Sequence, residues 1–140
     1  MPIQSLAREE VVTANEDASI TELARLMRDE TVGSVVITND GSPVGIVTDR
    51  DLTTRVLADE REPIGLTAQD VMSSDLCTVG PDAGFYEAAQ VMSDNGIRRL
   101  PISSEDDELL GIITADDLQE LLADEHQQFA AVIRAQRPEY

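Results

Sequence analysis

Apolar residues in the first half of the chain show one clear helical spacing and three short strand-like clusters. Ser19 and Glu22 form an S-x-x-E capping box, which marks the start of a helix. The apolar residues Ile20, Leu23 and Met27 follow at helical spacing, so we expect one face of this helix to be buried. The pattern predicts a short turn or helix at 4–8, a strand at 11–13, a helix from 19 to about 30, strands at 32–38 and 44–47, and a helix from 48 to about 57.

The second half of the chain predicts the same order of elements. Thr67 and Asp70 form another capping box, for a short turn that opens this half. Pro101 lies within a predicted strand, and because proline has no N–H to donate, we expect its pairing to lie at an edge or a bulge. The predicted elements are a strand at 76–79, a helix at 85–95, strands at 99–102 and 109–113, and a longer helix that begins at residue 114.

This similarity is an internal repeat. The phrase Gly45–Leu52 (GIVTDRDL) returns as Gly111–Leu118 (GIITADDL), and the residues upstream match at a constant spacing of 65 positions. We infer two β-α-β-β-α units. We expect them to occupy residues 1–60 and 70–124, with a linker at 61–69.

The predicted tail, residues 125–140, has no counterpart in the first unit. The last helix carries Leu122, Phe129 and Ile133 on one side, so an apolar stripe continues into the tail. We expect this stripe to pack across the two units or onto a second chain.

The charge of the chain narrows the choice of partners. Twenty-eight acidic residues face ten basic ones, which gives a net charge of −18, and every basic residue is arginine. Such acidity destabilises a compact state at low salt, whereas about 1 M salt screens it because the Debye length falls to roughly 3 Å. We expect a protein adapted to a salt-rich cytoplasm, with an acidic mesophilic protein as the alternative. Nucleic acid is not an expected partner, because phosphate contacts need clustered basic residues and only Arg98 and Arg99 are adjacent.

Several other classes of protein are disfavoured by what the sequence lacks. No apolar run approaches the roughly 18 residues that span a bilayer, and no signal-peptide pattern opens the chain, so we expect a soluble, cytoplasmic protein without a membrane partner. The single cysteine, Cys77, falls in a predicted strand and should be a small buried hydrophobe. The single histidine, His126, lies on the last helix, and the sequence has no metal-ligand cluster, Walker loop or nucleophile–base pair. We therefore expect no catalysis, no metal site and no required cofactor.

Both copies of the repeated phrase begin with glycine and carry Thr-x-x-Asp at a strand-to-helix junction. These residues are Gly45, Thr48 and Asp51 in the first copy and Gly111, Thr114 and Asp117 in the second. Helix capping alone would explain Thr-x-x-Asp in either copy. A binding role is also consistent, because a helix N-terminus offers N–H groups to a phosphate and a carboxylate suits a ribose diol. The glycines indicate close approach of a ligand or of another backbone.

Two β-α-β-β-α units that each end with the pattern G-h-h-T-x-x-D, where h is apolar, resemble a tandem pair of CBS domains. These domains are named after cystathionine β-synthase, and a pair is called a Bateman module. The resemblance covers residues 4–124, and Ile97–Ile102 is similar to a strand segment of the family. It implies an α/β (α+β) fold in which two units pack with pseudo-two-fold symmetry and helices flank the sheets. It also implies a regulatory ligand that contains adenosine (AMP, ADP, ATP or S-adenosylmethionine), bound between the units.

The resemblance also implies roles for individual residues. The aspartate of each phrase would hold ribose hydroxyls, and the threonine would contact ribose or phosphate. Backbone near Thr13-Ala14 and near Thr78-Val79 would line the adenine pockets. A flat antiparallel homodimer that buries its helices is implied as well.

The two expected sites differ in charge. Arg50 lies inside the first phrase, where the second phrase has Asp116, which would repel a phosphate. The second unit carries Arg98 and Arg99 where the first unit has small residues. Because neighbouring residues on a strand point to opposite faces, at most one of these two arginines should face a cleft. Each arginine could instead neutralise nearby acids.

The leading interpretation is a regulatory sensor that is not an enzyme. It would bind an adenosine-containing ligand and signal to a separate, unidentified protein, since the sequence shows no fused catalytic or DNA-binding domain. The alternative is a structural dimerisation module whose clefts stay empty. Each copy keeps its aspartate, Asp51 in the first and Asp117 in the second, and this argues against that alternative.

Overall fold

The computed structural model describes residues 2–138, which form two small sheets flanked by helices. The strands are β1 (Thr13–Asn15), β2 (Ser34–Asn39), β3 (Ser42–Thr48), β4 (Arg99–Ser103) and β5 (Leu109–Thr114). The helices are α1 (Ile20–Glu30), α2 (Asp49–Leu52), α3 (Ala68–Val71), α4 (Phe85–Asn95) and α5 (Ala115–Gln136). A 3₁₀ turn (Ile3–Ser5) precedes β1, and a π-helical turn (Thr53–Leu57) extends α2.

The helices begin where the capping patterns predict. The Ser19 hydroxyl accepts a hydrogen bond from the Glu22 N–H at 3.1 Å and starts α1. Helix α1 ends at Thr31, which adopts a left-handed conformation (φ 54°) and donates its N–H to the Met27 carbonyl. Capping boxes also start α2, α3 and α5, so the prediction of these helix starts is confirmed.

The first sheet has the order β1-β2-β3, with β1 parallel to β2 and β2 antiparallel to β3. Asp40 and Gly41 join β2 to β3, and both have positive φ (52° and 83°), as a two-residue hairpin turn requires. Strand β1 begins at Thr13, two residues later than the predicted start. The second sheet is the antiparallel pair β4-β5.

The strand predicted at 76–79 is reduced to one bridge, in which Val79 pairs with Ile102. In the first unit, Val36 donates its N–H to the Val12 carbonyl at 3.0 Å. The equivalent donor in the second unit is Pro101, which has no N–H. Val79 still bonds to the carbonyl of Pro101 (3.1 Å), but the ladder cannot continue toward Cys77. Pro101 thus lies on the edge of the β4-β5 sheet that faces Val79, as predicted, and it ends the pairing there.

Each unit has its own hydrophobic core, and each core takes a segment from outside its unit. Leu23, Val35 and Val47 pack together in the first core, which also contains Ala68 and Val71 of α3. The second core is built around α4, β4 and β5 and also contains Ile3, whose side chain is fully buried. Part of the predicted linker thus packs in the first core, and the N-terminal turn packs in the second.

The same exchange occurs at the sheet edges. Ile46 of β3 pairs with Ser73, and Ile112 of β5 pairs with Arg8, both as antiparallel bridges. Arg8 and Ser73 are equivalent positions of the repeat, 65 residues apart. Reciprocal contacts between equivalent positions are what a two-fold relationship produces. The units are therefore related by pseudo-two-fold symmetry, and each completes the other.

The last helix, α5, extends beyond the packed units. Leu118 is buried, but the stripe then becomes exposed, and Phe129, Val132 and Ile133 are 53% to 66% exposed. The expectation that this stripe packs across the two units is therefore wrong for these residues, while packing onto a second chain stays a prediction. Residue 1 of the predicted first unit and residues 139 and 140 of the predicted tail lie outside the described residues. Across residues 2–138, no helix is both long enough and apolar enough to pass through a membrane.

Candidate ligand-binding clefts

Two clefts lie between the units, and we name them cleft A and cleft B. Cleft A has a volume of about 250 Å³ and is lined by β3–α2 residues of the first unit together with segments 73–77 and 97–99. Cleft B has a volume of about 240 Å³ and is lined by β5–α5 residues of the second unit together with segments 8–12 and 31–34. These segments are equivalent in the repeat, so the clefts form a pseudo-symmetric pair.

Thr48 and Asp51 line cleft A, and the capping box fixes their geometry. Oδ2 of Asp51 accepts the Thr48 N–H at 2.9 Å, and the Thr48 hydroxyl accepts the Asp51 N–H at 3.1 Å. Oδ1 of Asp51 is not used by the cap and lies 3.7 Å from Nε of Arg55. Arg55 also donates a hydrogen bond to the Val71 carbonyl at 2.8 Å, and this links Asp51 to the end of α3.

Thr114, which lines cleft B, and Asp117, which does not line it directly, repeat the capping geometry. Oδ2 of Asp117 accepts the Thr114 N–H at 2.9 Å, and Oδ1 lies 3.5 Å from Nη2 of Arg8. The Asp117 side chain is only 11% exposed. Arg8 and Thr114 line cleft B, and Arg8 links Asp117 to it. Capping and ligand contact are thus compatible, because the cap uses one carboxylate oxygen and leaves the other to accept a hydrogen bond.

Gly45 and Gly111 allow close approach of backbone from the other unit, at Ser73 and Arg8 respectively. A Cβ on Gly45 would lie 2.6 Å from Sδ of Met72 and 2.9 Å from the Ser73 carbonyl oxygen. A Cβ on Gly111 would lie 2.9 Å from the carbonyl oxygen of Arg8. Of the two readings of these glycines, close approach of another backbone is the one that applies, and neither glycine lines a cleft.

Thr13, Ala14, Thr78 and Val79 lie outside both clefts. Thr13 borders a neighbouring depression, and Thr78 and Val79 border another one beside the loop at 103–106. The expectation that backbone near these residues contacts an adenine stays a prediction.

Apolar residues two positions earlier occupy the clefts instead. Val11 and Val12 line cleft B, and Leu76 and Cys77 line cleft A. Cys77 is partly buried and packs against the second core, outside any regular strand among the described residues. These pairs match across the repeat, which is the signal that could have identified them in the sequence. Arg8 was also missed, because its role depends on a bridge to the other unit.

Arg98 and Arg99 both line cleft A. The expectation that at most one would face a cleft is wrong, because Arg98 precedes β4 and does not follow strand alternation. Arg99 also lines cleft B, and its Nη2 lies 2.9 Å from where a Cβ on Gly33 would be. A small residue at position 33 therefore makes room for an arginine from the other unit.

The two clefts differ in charge. In cleft A, Arg50, Arg98 and Arg99 face two aspartates, Asp51 and Asp75. Cleft B shares Arg99, and its other charged residues are Arg8, Glu10 and Asp116, with Asp117 next to Arg8.

A direct ion pair joins the two clefts. Nη2 of Arg98 lies 3.0 Å from Oδ1 of Asp116, and both side chains are more than 70% exposed. Arg98 thus compensates the acidic residue that replaces Arg50 in the second unit. Among residues 2–138, no group of three His, Cys, Asp or Glu side chains is placed to hold a metal ion.

Both repeats of this chain are similar to one known protein family. Residues 3–58 and 68–124 each match the CBS domain family model. The CBS domain-containing protein YhcV of Bacillus subtilis is 36% identical over 110 residues, which cover 78% of this chain and 76% of that protein. An uncharacterized protein of Methanopyrus kandleri is 39% identical over 117 residues, which cover 83% of this chain. The match covers only 60% of the length of that archaeal relative.

A solved structure has the same fold. The CBS domain pair of protein MJ0100, in complex with 5′-methylthioadenosine and S-adenosyl-L-methionine, matches with a TM-score of 0.81 at 23% identity. The match covers 89% of this chain and 98% of that one. Since both repeats match the family model and the fold is that of a CBS pair, this chain belongs to the CBS domain family.

Proposed function

We propose that this chain is a regulatory module that binds an adenosine-containing ligand in the clefts between its two CBS domains. The observation that carries the proposal is the paired carboxylate geometry. In each cleft region an aspartate is held by its capping box, with Oδ2 bonded to a threonine N–H at 2.9 Å, while Oδ1 is not used by the cap and lies 3.5–3.7 Å from an arginine nitrogen. A fixed carboxylate oxygen beside an apolar pair of side chains suits a ribose diol whose base lies against the apolar wall.

The comparison structure supports this class of ligand. That CBS pair was solved with 5′-methylthioadenosine and S-adenosyl-L-methionine, which share an adenosine. Adenosine is also common to AMP, ADP and ATP, so these five molecules form the first panel of candidate ligands. The proposed contacts are the aspartates and threonines of the two phrases, with Val11–Val12 and Leu76–Cys77 as the apolar walls.

The test is isothermal titration calorimetry with this panel in about 2 M KCl, which screens self-repulsion. We expect at least one ligand to bind saturably. Combined Asp51→Asn and Asp117→Asn should weaken it about tenfold or more, because a hydrogen bond to a charged group contributes roughly 1.5–3 kcal/mol. Asp70→Asn is the matched control, since Asp70 forms the same capping box with Thr67 (2.9 Å) but, unlike Asp51, lines neither cleft and, unlike Asp117, is not linked to cleft B through Arg8.

A ligand-free dimerisation scaffold is the competing function. It is favoured by the exposed apolar stripe on α5, which a partner could cover. No heat from any of the five ligands, together with an unchanged melting temperature, would establish this reading over the sensor. Equal binding by the double variant and the wild type would instead refute the assignment of the aspartates.

The remaining parts of the proposal concern the setting of the module. We propose a homodimer that acts in a salt-rich cytoplasm on a separate protein and performs no chemistry of its own. The net charge of −18 motivates the salt-rich setting. Light scattering in molar KCl tests the homodimer, and a monomeric mass would contradict it.

A further inference from the structure

We propose that the two clefts select different ligands: cleft A takes an adenosine ligand with a phosphate, and cleft B takes one without. This inference rests on the proposed function and deepens it by naming the ligand class of each cleft. It predicts that AMP fills one cleft per chain, and that an uncharged or cationic adenosine ligand fills the other.

The concentration of arginine in cleft A carries the inference. Arg50, Arg98 and Arg99 line cleft A, and of these three only Arg99 also lines cleft B, although the whole chain has only ten arginines in a net charge of −18. Guanidinium groups bind phosphate oxygens through paired, charge-assisted hydrogen bonds. Helix α2 has only four residues, so these side chains, and not the helix N-terminus, are the basis for phosphate binding.

Cleft B is lined by two arginines, Arg8 and the shared Arg99, against two acidic residues, Glu10 and Asp116. Asp116 stands at the position of Arg50, and Gly33 and Ser34 stand at the positions of Arg98 and Arg99. Arg8 is the arginine that cleft B does not share, and it lies 3.5 Å from Asp117. Glu10 and Asp116 also line this cleft, and their negative charges would oppose the binding of a phosphate.

The ion pair between Arg98 and Asp116 should lower the affinity of cleft A for AMP. At 3.0 Å this pair holds Arg98 partly engaged with a residue of the other cleft. Asp116→Asn removes the competing carboxylate, so it should strengthen AMP binding in cleft A. Arg98→Gln should weaken AMP binding, while 5′-methylthioadenosine should be unaffected because it carries no phosphate.

Cys77 provides a reporter that is specific to one cleft. It is the single cysteine of the chain and lines cleft A. Its equivalent in cleft B is Val12. Thiol modification by a disulfide reagent thus reports cleft A in the wild type, and it reports cleft B in a matched variant that combines Cys77→Val with Val12→Cys.

The experiment measures the thiol modification rate against AMP and against 5′-methylthioadenosine in about 2 M KCl, a salt level that screens the overall charge. We expect AMP to protect the Cys77 thiol at concentrations about tenfold lower than it protects the thiol introduced by Val12→Cys, as one charge-assisted contact would give. 5′-Methylthioadenosine should protect the introduced thiol at least as well as it protects the Cys77 thiol. Arg50→Gln and Arg98→Gln should each remove most of the AMP protection. Arg61→Gln, an exposed linker change of equal charge, should not.

The outcomes separate this inference from the function on which it rests. Equal AMP protection of both thiols would overturn the selectivity while leaving an adenosine-binding module. Absence of protection at both thiols, with no calorimetric heat, would overturn the proposed function itself. AMP protection that survives both Arg→Gln changes would show that the arginines do not hold the phosphate.

Discussion

Ile46 and Ser73 exchange two backbone hydrogen bonds, at 3.3 and 3.1 Å, although they belong to different repeats. Ile112 and Arg8 do the same at equivalent positions, at 3.1 and 3.0 Å. Because segment 73–77 continues from this bridge into cleft A, the contact that joins the units also shapes this cleft. The stability of the pair and the shape of the clefts therefore depend on the same contacts.

Gly45→Ala should destabilise the protein by about 1–3 kcal/mol, the usual cost of overpacking. The new Cβ would lie 2.6 Å from Sδ of Met72, which can move, but also 2.9 Å from the Ser73 carbonyl oxygen, which is fixed by the bridge. Chemical denaturation measures the loss. Gly80→Ala is the control, since a Cβ there meets nothing within 4 Å, and an equal loss in both variants would contradict the close-approach argument.

Ile3→Ala should destabilise the protein by about 2–5 kcal/mol, as other large-to-small core changes do. Ile3 is fully buried in the second core, although it lies at the start of the chain. Ile64→Ala is the matched control, because Ile64 is 88% exposed, and such surface changes usually stay within about 0.5 kcal/mol. If both variants unfold at the same denaturant concentration, the N-terminal turn does not pack as described.

The melting temperature should rise between about 0.1 M and 2 M KCl, because added salt shortens the Debye length and weakens repulsion among acidic side chains. Scanning calorimetry at several salt concentrations measures the slope. Glu105→Gln combined with Asp106→Asn, in the exposed acidic loop, should reduce that slope. A melting temperature that does not change with salt would remove the argument for a salt-rich cytoplasm.

Phe129→Gln combined with Ile133→Gln should shift the mass in light scattering from dimer to monomer. These side chains are 66% and 61% exposed in the single chain, so a second copy could bury them. The double variant would remove this apolar burial and so destabilise the dimer. Ile64→Gln is the control for an exposed apolar residue outside α5. A double variant that keeps the dimer mass would place the dimer interface on other helices.

Local signals predicted the elements well, because they act over a few residues. The capping box of Thr48 and Asp51 joins positions three apart, and the Asp40-Gly41 turn needs only its own φ angles. The strand expected at 76–79 was wrong because Pro101, more than twenty residues further on, removes a donor from its partner strand. The expectation that Arg98 and Arg99 point to opposite faces was wrong because β4 begins at Arg99, so Arg98 does not follow strand alternation.

The amino-acid sequence by itself determined that this protein has two equivalent units, where their helices begin, and that each carries a capped aspartate. The tertiary structure decided which residues share a cleft. Val12 and Cys77 enter opposite clefts, and Gly45 meets the backbone of the other unit, because each unit's leading segment crosses to its neighbour. No spacing along the chain encodes which sheet edge a segment will meet, since that choice depends on how the two cores pack together.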